Sequence, residues 1–181
     1  MPLVVVTRPA VEPVTVAAAK SHARIATTAD DVMVDTLIRT ARAQIEAMLG
    51  LALINQVWRL LRPWPDDNQI LLPLRPAQSV TEVRAVGAAA ALPTTAWSLL
   101  IEEDGQGCVR INPSVTPATS VTVTFTAGYG ATADLVPASL RHAILLLTAH
   151  WYDNRDLAKG GVSRMPEEIA SLVAPFRRVR L

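Results

Sequence analysis

The sequence predicts an α+β fold, with a helical core of two N-terminal and two C-terminal helices and a small antiparallel β-sheet region inserted between them. Three observations predict it. Apolar residues recur at three- and four-residue steps from Val34 to Leu49, Val and Thr alternate from Val121 to Thr126, and helical spacing returns after Pro137. Half of the 181 residues are apolar and only 18% are charged, which supports a packed core and excludes a disordered, solvated chain. Thirteen prolines against eight glycines predict many short elements with stiff connections. The boundaries read as an arm and helices over 1–52, a β-rich insertion over 53–130, and C-terminal helices with a tail over 131–181. The last of these forms one structural unit with the first.

Each element has a local cause. Residues 1–13, with prolines at 2, 9 and 13, read as an extended arm. Thr15 is placed to cap a short helix from Val16 to about Arg24. The turn Thr27-Thr28-Ala29-Asp30 caps a longer helix ending at Leu49, whose stripe is Val34, Leu37, Ile38, Ala41, Ile45, Met48 and Leu49. Gly50 is its C-terminal stop. Short apolar runs separated by turn residues then predict strands at Ile54–Leu61, Gln69–Leu72, Val80–Val86, Trp97–Ile101, Val109–Ile111 and Val121–Thr126. Glu103-Asp104-Gly105-Gln106-Gly107 reads as a hairpin turn.

Pro137 suits the first position of a helix reaching about Arg155, with a seam of Leu140, Ile144, Leu147 and Trp151. Ala158 to Arg164, containing Gly160-Gly161, reads as a flexible loop. A last helix starts at Pro166, carries Glu167 and Glu168 where carboxylates favour the helix dipole, and presents Ile169, Leu172, Val173 and Phe176.

The charge pattern excludes several function classes. A net charge of +1 gives no global field to recruit nucleic acid or a membrane. Basic residues are fifteen Arg and two Lys, and Arg is the cation enriched at protein interfaces, although a GC-rich genome also inflates Arg and Ala. A lone cysteine, Cys108, offers no internal disulfide and no metal spacing. The longest apolar stretch inside a helix, Ala143 to Ala149, is far short of the roughly 20 residues of a membrane span. A soluble intracellular product is the expectation.

Candidate chemistry is sparse. His142 and His150 lie roughly 12 Å apart along one helix at about 1.5 Å per residue, too far to share an ion. Gly128-Tyr129-Gly130-Ala131-Thr132-Ala133 matches a dinucleotide fingerprint in letters only. No helix opens directly from the glycines, and the preceding strand alternates as antiparallel strands do. The acidic pairs Asp30-Asp31, Asp66-Asp67 and Glu102-Glu103 sit at caps and turns, with no partner to separate an acid from a base. No catalytic residue, metal site or cofactor is expected.

Several segments carry a resemblance. They are Glu12-Pro13-Val14-Thr15-Val16-Ala17, the capped helix ending at Leu49-Gly50, and Leu53-Ile54-Asn55-Gln56-Val57-Trp58. Val123-Thr124-Phe125-Thr126-Ala127-Gly128-Tyr129-Gly130 and Val136-Pro137-Ala138 follow. The most specific is Ala143-Ile144-Leu145-Leu146-Leu147-Thr148-Ala149-His150-Trp151-Tyr152-Asp153-Asn154-Arg155, and the ending Leu172-Val173-Ala174-Pro175-Phe176-Arg177 completes the set. Together they resemble the head–tail connector (adaptor) proteins of tailed bacteriophages and gene transfer agents, over nearly the whole chain and least between about 63 and 118.

The resemblance implies a non-enzymatic neck component, assembled in the bacterial cytoplasm into a ring, usually of twelve copies. Its partners would be the portal protein, a stopper or other tail-side neck protein, and other copies of itself. Double-stranded DNA would pass through the channel without sequence recognition. In such proteins the C-terminal segment reaches into the portal, which makes Phe176, Arg177, Arg178, Val179, Arg180 and Leu181 the candidate portal-binding residues. A solvated, frayed terminus is the plain alternative for that segment. Two other functions remain open: a different neck component, such as a stopper or tail terminator, or a small ligand-binding domain using the Gly128–Ala133 turn.

Overall fold

The computed structural model describes residues 2–154 and 166–177. It divides into two compact units. One joins residues 1–10 to residues 50–131; the other joins residues 11–49 to residues 132–181.

The first unit holds seven strands: β1 (Leu3–Thr7), β2 (Gln56–Pro63), β3 (Gln69–Leu71), β4 (Ala77–Ala85), β5 (Trp97–Ile101), β6 (Gly107–Ile111) and β7 (Ser120–Ala127). They form a four-stranded sheet in the order β1-β2-β7-β4 and a three-stranded sheet in the order β3-β6-β5. Every strand pairing is antiparallel. In β7 the alternation read from sequence becomes alternating burial: Val121, Val123, Phe125 and Ala127 are buried while Ser120, Thr122, Thr124 and Thr126 are half-buried. Leu60 and Val83 from the same sheet and Ile70, Leu72, Val109 and Ile111 from beside or within the other join them in one core. Complete burial of a side chain such as Phe125 contributes about 1.5–3 kcal/mol.

The arm read over 1–13 is in part a strand, since β1 pairs with β2, Leu3 opposite Leu60 and Val5 opposite Trp58. The prolines bound it without entering it. Strand ends also differ from the sequence reading. β4 begins at Ala77, where the chain follows β7 through two register irregularities, and β6 begins at Gly107 opposite Ile101. β2 starts at Gln56 because Leu53 and Asn55 bond to the glycine turn after β7. The expected hairpin at Glu103–Gly107 joins β5 to β6, with the Gln106 amide donating to Asp104 Oδ1 at 2.8 Å.

The second unit holds α1 (Val16–Ala23), α2 (Asp31–Leu49), α3 (Ala138–Asp153) and α4 (Glu167–Val173), with 3-10 turns at Ala133–Leu135 and Ala174–Phe176. Thr15 caps α1, its hydroxyl accepting from the Ala18 amide at 3.1 Å. Gly50 follows α2 in the left-handed region at φ 64, which costs a residue without Cβ little. On α2, Val34, Ile38, Ala41, Ile45 and Leu49 are buried, while Leu37 is half-buried and Met48 exposed. On α3 the buried face is Leu140, Ala143, Ile144, Leu147 and Thr148, with Trp151 half-buried at its edge.

Pro137 and Pro166 stand one position earlier than read, as the caps before α3 and α4. Their extended ψ of 134 and 142 leaves each carbonyl as the first acceptor, the Pro137 oxygen taking the Arg141 amide at 3.1 Å. The expected flexible loop at Ala158–Arg164 lies outside the described residues, as does Arg155. No helix among the described residues is long and apolar enough to cross a membrane.

Candidate functional site

The segment singled out from sequence begins where α4 ends. Ile169 and Val173 anchor that helix in the helical unit. Pro175 then sits inside the 3-10 turn, where a residue lacking an amide hydrogen ends the helix without wasting a donor. Phe176 is half-buried. Arg177 is exposed and extended, at φ −69 and ψ 136, and its Nη2 lies 3.7 Å from Met48 Sδ. Of the six candidate portal-binding residues, Phe176 and Arg177 are therefore placed at the exit of the helical unit. Arg178, Val179, Arg180 and Leu181 lie outside the described residues.

Ion pairs fix the start of the same unit. Arg42 Nε donates to Glu12 Oε2 at 2.7 Å and its Nη1 to Glu46 Oε2 at 2.6 Å. All three side chains are only 11–13% exposed. One guanidinium thus ties the approach to α1 onto the middle of α2. Arg39, which is exposed, adds a pair to Asp35 at 2.8 Å. The turn before α2 is held from two sides, by Lys20 on Asp31 at 2.5 Å and by the Tyr152 hydroxyl donating to Asp30 at 2.6 Å. The Asp30-Asp31 pair therefore acts in packing the helices. Sequence reasoning found the carboxylates but not their partners, because Tyr152 lies far along the chain.

The glycine turn is a structural joint. Gly128 has φ 148, and a Cβ there would come within 2.5 Å of Asn55 N and 2.6 Å of Asn55 Cα. The Gly128 amide donates to Pro76 O at 2.9 Å, the Tyr129 amide to Leu53 O at 3.2 Å, and the Gly130 carbonyl accepts from Asn55 at 2.9 Å. The Gly128 carbonyl takes the Gln78 side-chain amide at 2.8 Å. The Gly128 and Tyr129 amides, committed to backbone carbonyls in this way, are not open to cradle a phosphate. Burial pushes the Tyr129 phenol above its ordinary range, with the Arg75 charge working against it.

Other titratable groups are dispersed. A side-chain hydrogen bond with Thr132, then the backbone amide of Asp134 itself, hold the exposed Asp134 carboxyl below its usual range. Cys108 is buried on β6 with Sγ 3.6 Å from Gln69 Oε1. The polar cleft beside β3 and β6, about 570 Å³, is lined by Asp67, Gln69, Ser98, Arg110 and Asn112 among others. His142 and His150 share α3 without meeting; the ring next to His142 is His22 of α1, 5.7 Å away. No group of three or more His, Cys, Asp or Glu side chains able to hold a metal occurs among the described residues.

The fold and the full length of the chain have counterparts. A chain in the neck of an empty GTA particle, computed with C6 symmetry, matches with a TM-score of 0.83 and 29% identity, covering 100% of this chain and 97% of that one. A chain in the virion of a native gene transfer agent particle matches at 0.80 with 27% identity and the same coverage. A chain in the neck of a native GTA particle, computed with C12 symmetry, matches at 0.75 with 27% identity, again over 100% and 97%. No curated protein matches at a significant level. The profile of the head completion proteins matches residues 12–179, from the Glu12 anchor to the terminal arginines. The chain therefore belongs to the head completion protein family.

Proposed function

We propose that the chain is a structural adaptor in the neck of a tailed phage or gene transfer agent particle, forming a ring between the portal and the tail-side neck proteins. The single observation that carries this reading is end-to-end similarity, at a TM-score of 0.83, to a chain of a particle neck. The twelvefold symmetry with which one related neck was computed supports a ring of twelve copies. Such a ring extends the DNA channel. Its contacts with DNA are phosphate contacts at most, since the described residues offer neither a basic helix nor an aromatic platform for reading bases. The function is mechanical and requires no catalysis.

The segment Phe176 to Leu181 is the portal anchor in this reading. Support comes from its composition, with three arginines in six residues, and from the extended exit of the chain at Arg177. Arg is suited to an interface because its planar guanidinium bonds two acceptors at once.

The test is co-purification with the portal protein of the same genome. Full-length chain is compared with a chain stopped after Pro175 and with an Arg177→Ala/Arg178→Ala/Arg180→Ala variant, with thermal melts to confirm that each folds. Capture by the full-length chain and loss in both variants supports the adaptor and its anchor. Capture by all three keeps the adaptor and moves the anchor. Capture by none, at high concentration, points to a stopper or tail terminator, which binds the tail side.

A further inference from the structure

Two of the three histidines of the chain, far apart in sequence, stand side by side in the helical unit. His22 lies in the last turn of α1 and His142 near the start of α3, with ring centroids 5.7 Å apart and planes at 88°. Both are at the surface. Metal–nitrogen bonds of about 2.0–2.1 Å at tetrahedral angles place two imidazole centroids that share an ion roughly 5–6 Å apart, the range into which this pair falls. The ring torsion of histidine is broad and roughly two-fold. Two exposed rings can therefore turn their lone pairs to a common point without disturbing a core. Lys20, two residues before His22, has its charge matched by Asp31 at 2.5 Å, so it does not stand as a bare cation against an incoming one.

We propose that His22 and His142 form a two-histidine site for a borderline divalent transition-metal ion such as Zn2+ or Ni2+, clamping α1 to α3, with water completing the coordination. Imidazole nitrogen selects these ions over Mg2+ and Ca2+, which take oxygen ligands. The ligands come from opposite parts of the sequence and meet only in the folded helical unit, so bound metal stabilises the native state. The clamp closes the end of α1, where the chain leaves the helix through Arg24 in the left-handed region at φ 55.

The full-length chain is stripped with chelator and melted with Zn2+, with Ni2+ and with Mg2+. At an ion concentration ten times the dissociation constant, the folded-to-unfolded ratio rises about elevenfold, a Tm increase of roughly 3–6 °C for a chain of this size. The increase is expected with Zn2+ and Ni2+ and absent with Mg2+. It should vanish in His22→Ala and in His142→Ala, and persist in His150→Ala, whose ring lies on the same helix as His142. Both alanine variants change exposed residues, so their metal-free melts should match the parent. Calorimetric titration should give one ion per chain. No increase with either ion, an increase that survives either substitution, or one ion per two chains would overturn the site.

Discussion

Gly128 is the position where a single methyl group should do the most damage for the least chemistry. In Gly128→Ala the new Cβ would lie 2.5 Å from Asn55 N and 2.6 Å from Ile54 C. Both are backbone atoms, which cannot rotate aside as a side chain would. Forcing such an overlap apart costs about 1–3 kcal/mol, and holding a residue with a Cβ at φ 148 costs about 1–3 kcal/mol more. The loss should reach about 2–6 kcal/mol, a large share of the roughly 5–15 kcal/mol that stabilises a typical domain. The separation of Asn55 from the turn would also strain the bonds from Tyr129 to Leu53 and from Asn55 to Gly130.

The control is Gly87→Ala. Gly87 also has a positive φ, 89, but a Cβ there meets nothing within 4 Å. It carries the conformational cost alone, about 1–3 kcal/mol. Urea unfolding followed by far-UV circular dichroism measures both, with the midpoint reporting stability and the slope confirming that the exposed surface is unchanged. If Gly128→Ala loses no more than Gly87→Ala, the close backbone approach is not what requires glycine, and the turn regains a claim to a binding role.

Three further substitutions test the packing. Arg42→Met removes the cation shared by the shielded Glu12 and Glu46 carboxylates, with Arg39 still 3.7 Å from Glu12; a loss of about 1–3 kcal/mol in urea unfolding is expected, and a loss below about 0.5 kcal/mol would show the pair to behave as an exposed one. Thr148 is 2% exposed and its Oγ1 has no hydrogen-bond partner among the described residues, so Thr148→Val should gain about 1 kcal/mol; destabilisation would reveal a bond to that hydroxyl. Burial raises the Tyr129 phenol, so its contribution is intact below the unfolded pKa of about 10 and is lost as pH rises through the folded value. Tyr129→Phe should therefore lose less stability than the parent above about pH 10, and identical alkaline profiles would remove Tyr129 as the cause.

By itself the sequence determined what local periodicity can encode. The stripe on α2, the Val–Thr alternation of β7 and the proline-led starts of α3 and α4 each follow from contacts within a few residues, where period and capping chemistry leave little choice. The resemblance to proteins of the particle neck was legible for the same reason, because it is carried by contiguous runs such as Ala143–Arg155.

Tertiary structure alone decided which distant residues meet. β1 is a strand only because β2 offers it a ladder, and three prolines in the surrounding arm hide it from any periodic reading. The strand order β1-β2-β7-β4, the Arg42 clamp on Glu12, the bond from Tyr152 to Asp30 and the pairing of His22 with His142 join positions with no shared local pattern. Burial and charge pairing select them after the chain has folded, and a one-dimensional pattern carries no record of that selection.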